Sequence, residues 1–222
     1  MLCDIFFGPP ICLAAVYRVV RGNFTRSLAK YKVRGMSAVM PNTDAGGVAA
    51  NSERIAARFG SCGIEVLSQT TGIRRSSLYS DDGTQKVCRT YAVVQFEDEA
   101  TPQVATAHAD IIAGQSIGAT FKSTGWQIRK TTLFLGSLPP IAPAHPIGSL
   151  MQLDQENNLA VHVYRLILER ASQSINYATI VEVHHPDYLS VDELQLLYGS
   201  NMEFETGTGE VAGLLRLVLD SD

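Results

Sequence analysis

Apolar and polar residues alternate along several stretches of the chain in the pattern of half-buried β-strands. Residues 63–69 alternate in this way, and two further runs flank Asp81-Asp82-Gly83, which is typical of a hairpin turn. Residues 126–138 form another strand-like run. The segment 159–183 contains two apolar runs joined by the polar residues 170–174, and this predicts a second hairpin.

Helical spacing appears in three other segments, residues 52–59, 101–124 and 191–199. The first has a predicted N-cap at Asn51 or Ser52, and the last has one at Ser190. Residues 139–158 are rich in Pro, Gly and Asn and predict a long loop. Hairpins and helices without regular βαβ alternation indicate an α+β fold, with a single antiparallel sheet and helices packed on one face.

Three parts are predicted along the 222 residues. Residues 1–50 are expected to be a poorly ordered N-terminal extension, residues 51–190 the folded domain, and residues 191–222 a C-terminal extension packed on that domain. The opening twenty residues are apolar, but Asp4 and Arg18 interrupt them and argue against a signal peptide or membrane anchor.

Composition narrows the functional classes. The formal net charge is −4 and no Lys/Arg cluster stands out, which disfavours nucleic acid as a partner. The four cysteines are widely spaced without a CxxC pair, as expected of a reduced cytoplasmic protein. We therefore predict a cytoplasmic monomer with no membrane span, and any anionic ligand must be bound by a few well-placed cations.

Three charged residues lie in or beside apolar strand segments. Arg89 precedes the run TYAVV, where a guanidinium needs an anionic partner or a route to water. Arg75 lies in the preceding strand, on the opposite face from Arg74. Glu182 follows the apolar run ATIV. The arginines either are exposed, or pair with a structural carboxylate such as Glu182, or bind a ligand.

Two histidines share the neighbourhood of Glu182. His184 lies on the same strand face, and His162 lies opposite if the hairpin turn is centred on Ala171 or Ser172. Imidazole and carboxylate are acceptable zinc ligands, so a metal site is one interpretation. Solvated histidines near a strand end are the other, and we predict no bound metal. His185 points to the opposite face and is expected at the surface.

The order of these segments resembles the chorismate lyase family, which converts chorismate to 4-hydroxybenzoate and pyruvate. The resemblance spans residues 55–189 and is carried by six short motifs: Ala57-Arg58-Phe59 with Ile64-Glu65-Val66, Arg75 to Gly83, Arg89-Thr90-Tyr91-Ala92-Val93, Ile117 to Phe121, Arg165-Leu166 with Val181-Glu182-Val183, and Pro186 to Leu189. The chain departs from the family pattern at Ala119, where the family has an arginine, in the long 139–158 segment, and in residues 190–222.

The resemblance implies specific roles. Arg75 and Arg89 would bind the two carboxylates of chorismate, and Glu182 would act as the acid–base group near the ring hydroxyl. Gly118 would let the backbone approach the ligand. Such chemistry needs neither a metal nor a redox cofactor. The reaction would place the protein in ubiquinone biosynthesis.

Relatives with this fold also include domains that bind ligands without converting them. The alternative function is therefore a non-catalytic effector or sensor module for a small aromatic carboxylate. In both cases the expected partner is a small aromatic or cyclohexadienyl carboxylate.

Overall fold

The computed structural model describes residues 50–70, 72–97, 101–199 and 208–220. The predictions for residues 1–49 lie outside this part of the chain. The described residues surround one six-stranded antiparallel sheet, which confirms the predicted α+β class. Its strands, in the spatial order β1-β2-β3-β6-β5-β4, are β1 (Gly63–Gln69), β2 (Ile73–Asp81), β3 (Lys86–Phe96), β6 (Gln173–His184), β5 (Ala160–Arg170) and β4 (Gln127–Ser137).

Both predicted hairpins are present. β2 pairs with β3 across the Asp-Asp-Gly turn, and β5 pairs with β6 across Ala171 and Ser172. The two hairpins meet at the centre of the sheet, where Ala92 of β3 lies opposite Glu182 of β6. Glu182 also lies opposite His162 of β5. The central strands therefore bring Glu182 between residues of both hairpins.

Six helices flank the sheet in the described residues: α1 (Asn51–Phe59), α2 (Ala105–Ile112), α3 (Ile117–Ser123), α4 (Pro146–Leu150), α5 (Val191–Tyr198) and α6 (Thr208–Leu219). Helices α1, α2, α3 and α5 cover the sheet face that carries Glu182, with Ile55, Ile111, Phe121 and Leu194 buried among the core residues. None of these helices is long and apolar enough to cross a membrane, within the part of the chain that is described.

The predicted N-cap of α1 is wrong, whereas that of α5 is confirmed. Ala50 is the N-cap of α1, and its backbone N–H donates to the Glu53 carboxylate at 2.8 Å. Asn51 is instead buried, and its amide Nδ2 donates to Thr90 Oγ1 at 3.2 Å. Ser190 caps α5 in a reciprocal capping box. Asn51 therefore contributes to the interior and not to the helix end.

The opposite face of the sheet is covered by α6 and by the 139–158 segment. Leu214 and Val218 of α6 belong to its hydrophobic core, with Ile147 and Met151. The helical cover therefore extends to both faces, beyond the single helical face that the sequence predicted. The predicted long loop contains α4, which begins with a proline at its first turn after the N-cap His145.

Gly148 permits a close backbone approach that holds α4 in place. A Cβ at this position would lie 2.1 Å from the carbonyl oxygen of Ala142. We expect Gly148→Ala to lower the free energy of unfolding by about 1–3 kcal/mol, because the backbone must move to relieve the clash. Urea denaturation measures this. Gly213→Ala is the control: no atom lies within 4 Å of the added Cβ, so the substitution is expected to be tolerated. Gly60→Ala is unsuitable as a control because Gly60 has a φ of 81°. Equal stability of Gly148→Ala and the wild type would contradict this account of α4.

Candidate functional site

A cavity of about 500 Å³ lies between the sheet and helices α1, α3 and α5. Its floor consists of side chains from all six strands that point to one face of the sheet. Its walls come from the N-terminal turn of α1, from α3, and from Tyr198 at the end of α5. The floor is mostly apolar, with residues Ile64, Leu78, Ala92, Val94, Ile128, Leu166 and Ile180. An apolar cavity with a few polar groups is typical of a small-molecule site.

Glu182 lies at the centre of this floor. Alternate residues of a strand share a face, so Ile180 and Glu182 of β6 face the cavity together. The Glu182 carboxylate accepts a hydrogen bond from the Tyr164 hydroxyl at its Oε1, 3.1 Å away. Its Oε2 is buried and has no hydrogen-bond partner among the described residues. Glu182 therefore borders the cavity with one buried carboxylate oxygen that accepts no hydrogen bond from the described residues.

Basic neighbours keep Glu182 ionised. Burial would raise the pKa of its carboxyl group, but the nearby basic groups, led by Lys130, lower that pKa to about 2. The Lys130 ammonium lies 4.0 Å from Glu182 Oε2. At neutral pH Glu182 is therefore a proton acceptor and hydrogen-bond acceptor, and it has no proton to donate. This restricts the acid–base role expected from the sequence to that of a base.

His162 and His184 lie beside Glu182 but are fully buried. His162 Nε2 shares a hydrogen bond with Thr132 Oγ1, and His184 Nδ1 shares one with Thr90 Oγ1, both at 3.0 Å. Burial lowers the pKa of His162 to about 3 and that of His184 to about 4. Both rings are therefore neutral at physiological pH and contribute no charge to the site.

The metal interpretation finds no support in this geometry. Among the described residues, no group of three His, Cys, Asp or Glu side chains is arranged to hold a metal ion. His162 instead stacks on the Tyr198 ring with a centroid distance of 4.2 Å, and His184 packs edge-on against Tyr188. The two histidines are hydrogen-bonded core residues behind the cavity. His185 is also buried and not at the surface as predicted, and its Nδ1 accepts a hydrogen bond from the backbone N–H of Asp187 at 3.0 Å.

Arg74, and not Arg75, lines the cavity. Arg74 is only 2% exposed, and its Nε donates a hydrogen bond to Ser76 Oγ at 2.9 Å. Its Nη1 donates to the carbonyls of Ile111 and Gln115 at the end of α2. Burial lowers the pKa of the Arg74 guanidinium. Its Nη2 has no hydrogen-bond partner among the described residues, so a donor remains for a ligand.

The predicted convergence of Arg75 and Arg89 on Glu182 does not form. Arg75 lies on the opposite face of β2, where its Nη2 donates to the carbonyl of Leu217 in α6 at 3.4 Å. Arg89 donates through Nε to Ser80 Oγ, and its guanidinium stacks on Phe59, 3.9 Å from the ring centroid. Neither arginine lines the cavity.

Strand parity and a β-bulge cause this difference. Adjacent residues of a strand point to opposite faces, so only one of Arg74 and Arg75 can face the cavity. Leu78 pairs with Thr90 and Tyr79 pairs with Cys88, which leaves Arg89 as an extra, unpaired residue. A bulge re-aims the side chain of its extra residue, here toward α1.

Gly118 does line the cavity, in the first turn of α3. No atom lies within 4 Å of the position that a Cβ would take there. Its missing side chain therefore leaves open space beside the ligand cavity. The same helix contributes Lys122, whose ammonium pairs with Glu53 of α1 at 2.8 Å in an exposed ion pair.

Sequence reasoning missed Arg74, Lys130 and Tyr164 as site residues. Lys130 extends from β4 into the cavity, 4.2 Å from the centroid of the Tyr164 ring. The cavity thus combines a carboxylate on β6 with Arg74 on β2 and Lys130 on β4. Arg129 and Lys122 also line it, each paired with a glutamate. This arrangement can bind an anionic ring compound and accept a hydrogen bond, or a proton, from it. No protein-family model matches the chain, and no curated protein matches it at a significant level.

Proposed function

We propose that the cavity binds a small aromatic or cyclohexadienyl carboxylate and that the protein is a chorismate lyase-like enzyme. Arg74 is the observation that supports an anionic ligand. Its guanidinium is buried and bonds to neutral oxygens, and no described carboxylate forms an ion pair with it. A buried cation without an anionic partner is costly, and an incoming carboxylate would offset that cost.

The apolar floor supports a ring as the body of the ligand. Aliphatic side chains lie between Arg74 and Glu182 along β2, β3 and β6. A flat ring packs against such a surface, while its carboxylate contacts Arg74 through a charge-assisted hydrogen bond. The Glu182 carboxylate, which lines the cavity, would then accept a hydrogen bond from a ring hydroxyl or take a proton from the ring.

Chorismate has the functional groups that such a cavity requires. It carries a ring carboxylate, a ring hydroxyl and an enolpyruvyl ether. Loss of the proton on the hydroxyl-bearing ring carbon, with cleavage of the ring carbon–ether oxygen bond, gives 4-hydroxybenzoate and enolpyruvate, which becomes pyruvate on protonation at its methylene carbon. The ionised Glu182 is the base in this proposal, and Arg74 holds the ring carboxylate.

Pyruvate formation from chorismate by the purified protein tests this proposal. We expect Glu182→Gln to lower kcat by about 100-fold or more, because general-base catalysis contributes that much in many enzymes. Glu169→Gln is the matched control, since Glu169 is a glutamate of the neighbouring strand that pairs with Arg129 away from Glu182. We expect this control to retain the wild-type rate. A folded wild-type protein without turnover would contradict the lyase proposal.

The low pKa of Glu182 favours one alternative, the non-catalytic binding module. A carboxylate with such a pKa is a weak base, yet it is a good acceptor for a ligand hydroxyl. In that case 4-hydroxybenzoate and chorismate would raise the melting temperature by mass action, and no pyruvate would form. An unchanged melting temperature with both compounds would contradict the enzyme and the binding module alike.

A further inference from the structure

Lys130 places a positive charge inside the cavity without using its hydrogen-bond donors. Its ammonium lies 4.2 Å from the Tyr164 ring centroid and 5.8 Å from the Tyr198 ring centroid. Its side chain is 25% exposed, and the ammonium makes no hydrogen bond to any described residue. The two rings shield the ammonium from bulk water and stabilise it through cation–π contacts. Its N–H donors therefore remain available to a ligand.

Neutralising Glu182 is the simplest structural role for Lys130. The two charged groups are 4.0 Å apart, which is beyond the range of an N–H···O hydrogen bond. Coulombic attraction acts at this distance without consuming an N–H donor. Glu182 Oε2 and the Lys130 ammonium thus both remain unbonded, on the same side of the cavity.

Lys130 and Arg74 lie at opposite sides of the cavity floor. Arg74 is on β2 and Lys130 is on β4, and β3, β6 and β5 lie between them. Four strand spacings separate β2 from β4 by about 19 Å, and both side chains line the cavity. Apolar side chains of the cavity floor, among them Val94 and Ile180, lie between the two strands. Two cations on either side of such a floor suit a ligand with two separated anionic groups.

We propose that Lys130 is a second anion subsite that makes the cavity selective for dicarboxylates over monocarboxylates. The inference rests on the proposed carboxylate binding at Arg74 and adds a residue that determines specificity. Lys130 holds the carboxylate of the ligand's second arm, next to the position where Glu182 meets the ring. A monocarboxylate ring product then loses the Lys130 contact and dissociates more readily than its dicarboxylate precursor.

Calorimetric titration with two matched stable ligands tests the role of Lys130. The probes are 3-(carboxymethoxy)benzoate, which has two carboxylates, and 3-methoxybenzoate, which has one. We expect the wild-type protein to bind the dicarboxylate at least about 10-fold more tightly, a ratio typical of one charge-assisted contact. In Lys130→Met this ratio is expected to fall to about one to two, with affinity for 3-methoxybenzoate unchanged within about threefold.

Two further variants distinguish a role of Lys130 in ligand preference from a purely structural role. Lys130→Arg retains the charge and is expected to retain most of the preference for the dicarboxylate. Arg165→Met removes a cation of the neighbouring strand β5, which pairs with Glu210 of α6 and does not line the cavity, and is expected to keep the wild-type ratio. If Lys130→Met keeps the wild-type ratio, or weakens both ligands equally, Lys130 is not an anion subsite. If the wild type binds neither ligand, the proposed carboxylate binding at Arg74 fails as well.

Discussion

Arg74→Met is expected to reduce the affinity for 4-hydroxybenzoate by about 100-fold, whereas Arg75→Met leaves it unchanged. A charge-assisted hydrogen bond contributes roughly 1.5–3 kcal/mol, and about 1.4 kcal/mol corresponds to a tenfold change in affinity. Arg74 lies on the cavity floor, while the guanidinium of Arg75 bonds to α6 on the other side of the sheet. The two adjacent arginines thus provide a matched pair for calorimetric titration.

Stability measurements distinguish binding from folding in this pair. Arg74 also bonds to two carbonyls at the end of α2, so its replacement lowers the free energy of unfolding as well. Arg74→Lys keeps the positive charge but lacks the planar fork, and an intermediate loss of affinity is expected. Arg75→Met is expected to destabilise the docking of α6 by about 0.5–1.5 kcal/mol. Loss of binding in Arg75→Met, with binding retained in Arg74→Met, would contradict the assignment of the cavity face.

Local signals in the sequence predicted both hairpins. The Asp-Asp-Gly turn determines which residues of β2 and β3 pair, and the polar 170–174 segment does the same for β5 and β6. The pairing of β3 with β6 joins residues about ninety positions apart, and no turn signals it. In that pairing Glu182 lies opposite Ala92, which in turn lies opposite Ser76 of β2. Glu182 is thereby placed on the same sheet face as Arg74, two residues before Ser76. The position of Glu182 could therefore be predicted within its hairpin, but its partners could not.

The choice between Arg74 and Arg75 shows why the sequence did not identify the arginine that lines the cavity. A shift of one residue moves a side chain to the other face of a sheet, so a role inferred from the motif Arg75 to Gly83 must be correct to the residue. The bulge at Arg89 adds a further shift that alternation alone does not reveal. Lys130 could not be identified as a site residue for a different reason. It lies on an edge strand, where lysine ordinarily faces solvent. By contrast, Pro146 after His145 was a usable signal for the start of α4.

The buried histidines are expected to make the protein less stable as the pH falls from 6.5 to 4. Burial lowers the pKa of His162 to about 3 and of His184 to about 4 in the folded state, while an unfolded histidine titrates near 6.5. In this window the unfolded chain binds protons that the folded protein does not. The free energy of unfolding therefore rises with pH across the window and falls on acidification. Each histidine contributes on the order of 3 kcal/mol to the loss at pH 4.

Protonation of Glu182 lowers the free energy of unfolding further at lower pH. Its folded-state pKa of about 2 lies below the ordinary value of 4.5, so its stabilising contribution disappears as the pH falls between those values. The two effects overlap below pH 4.5, whereas above pH 5 the histidine effect can be measured by itself. Between pH 6.5 and 5 the histidines dominate, because Glu182 is ionised in the folded state throughout that range.

Urea denaturation of the double variant His162→Gln, His184→Gln measures the histidine contribution. At pH 7 the wild-type rings are neutral in the folded protein and mostly neutral in the unfolded chain. A difference from wild type at that pH therefore reports lost packing and the lost bonds to Thr132 and Thr90. Between pH 7 and 5 the wild-type free energy of unfolding is expected to fall by several kcal/mol, whereas that of the double variant changes much less. An equal pH dependence in both proteins would contradict the assignment, because glutamine does not titrate and the slope would then have to come from other groups.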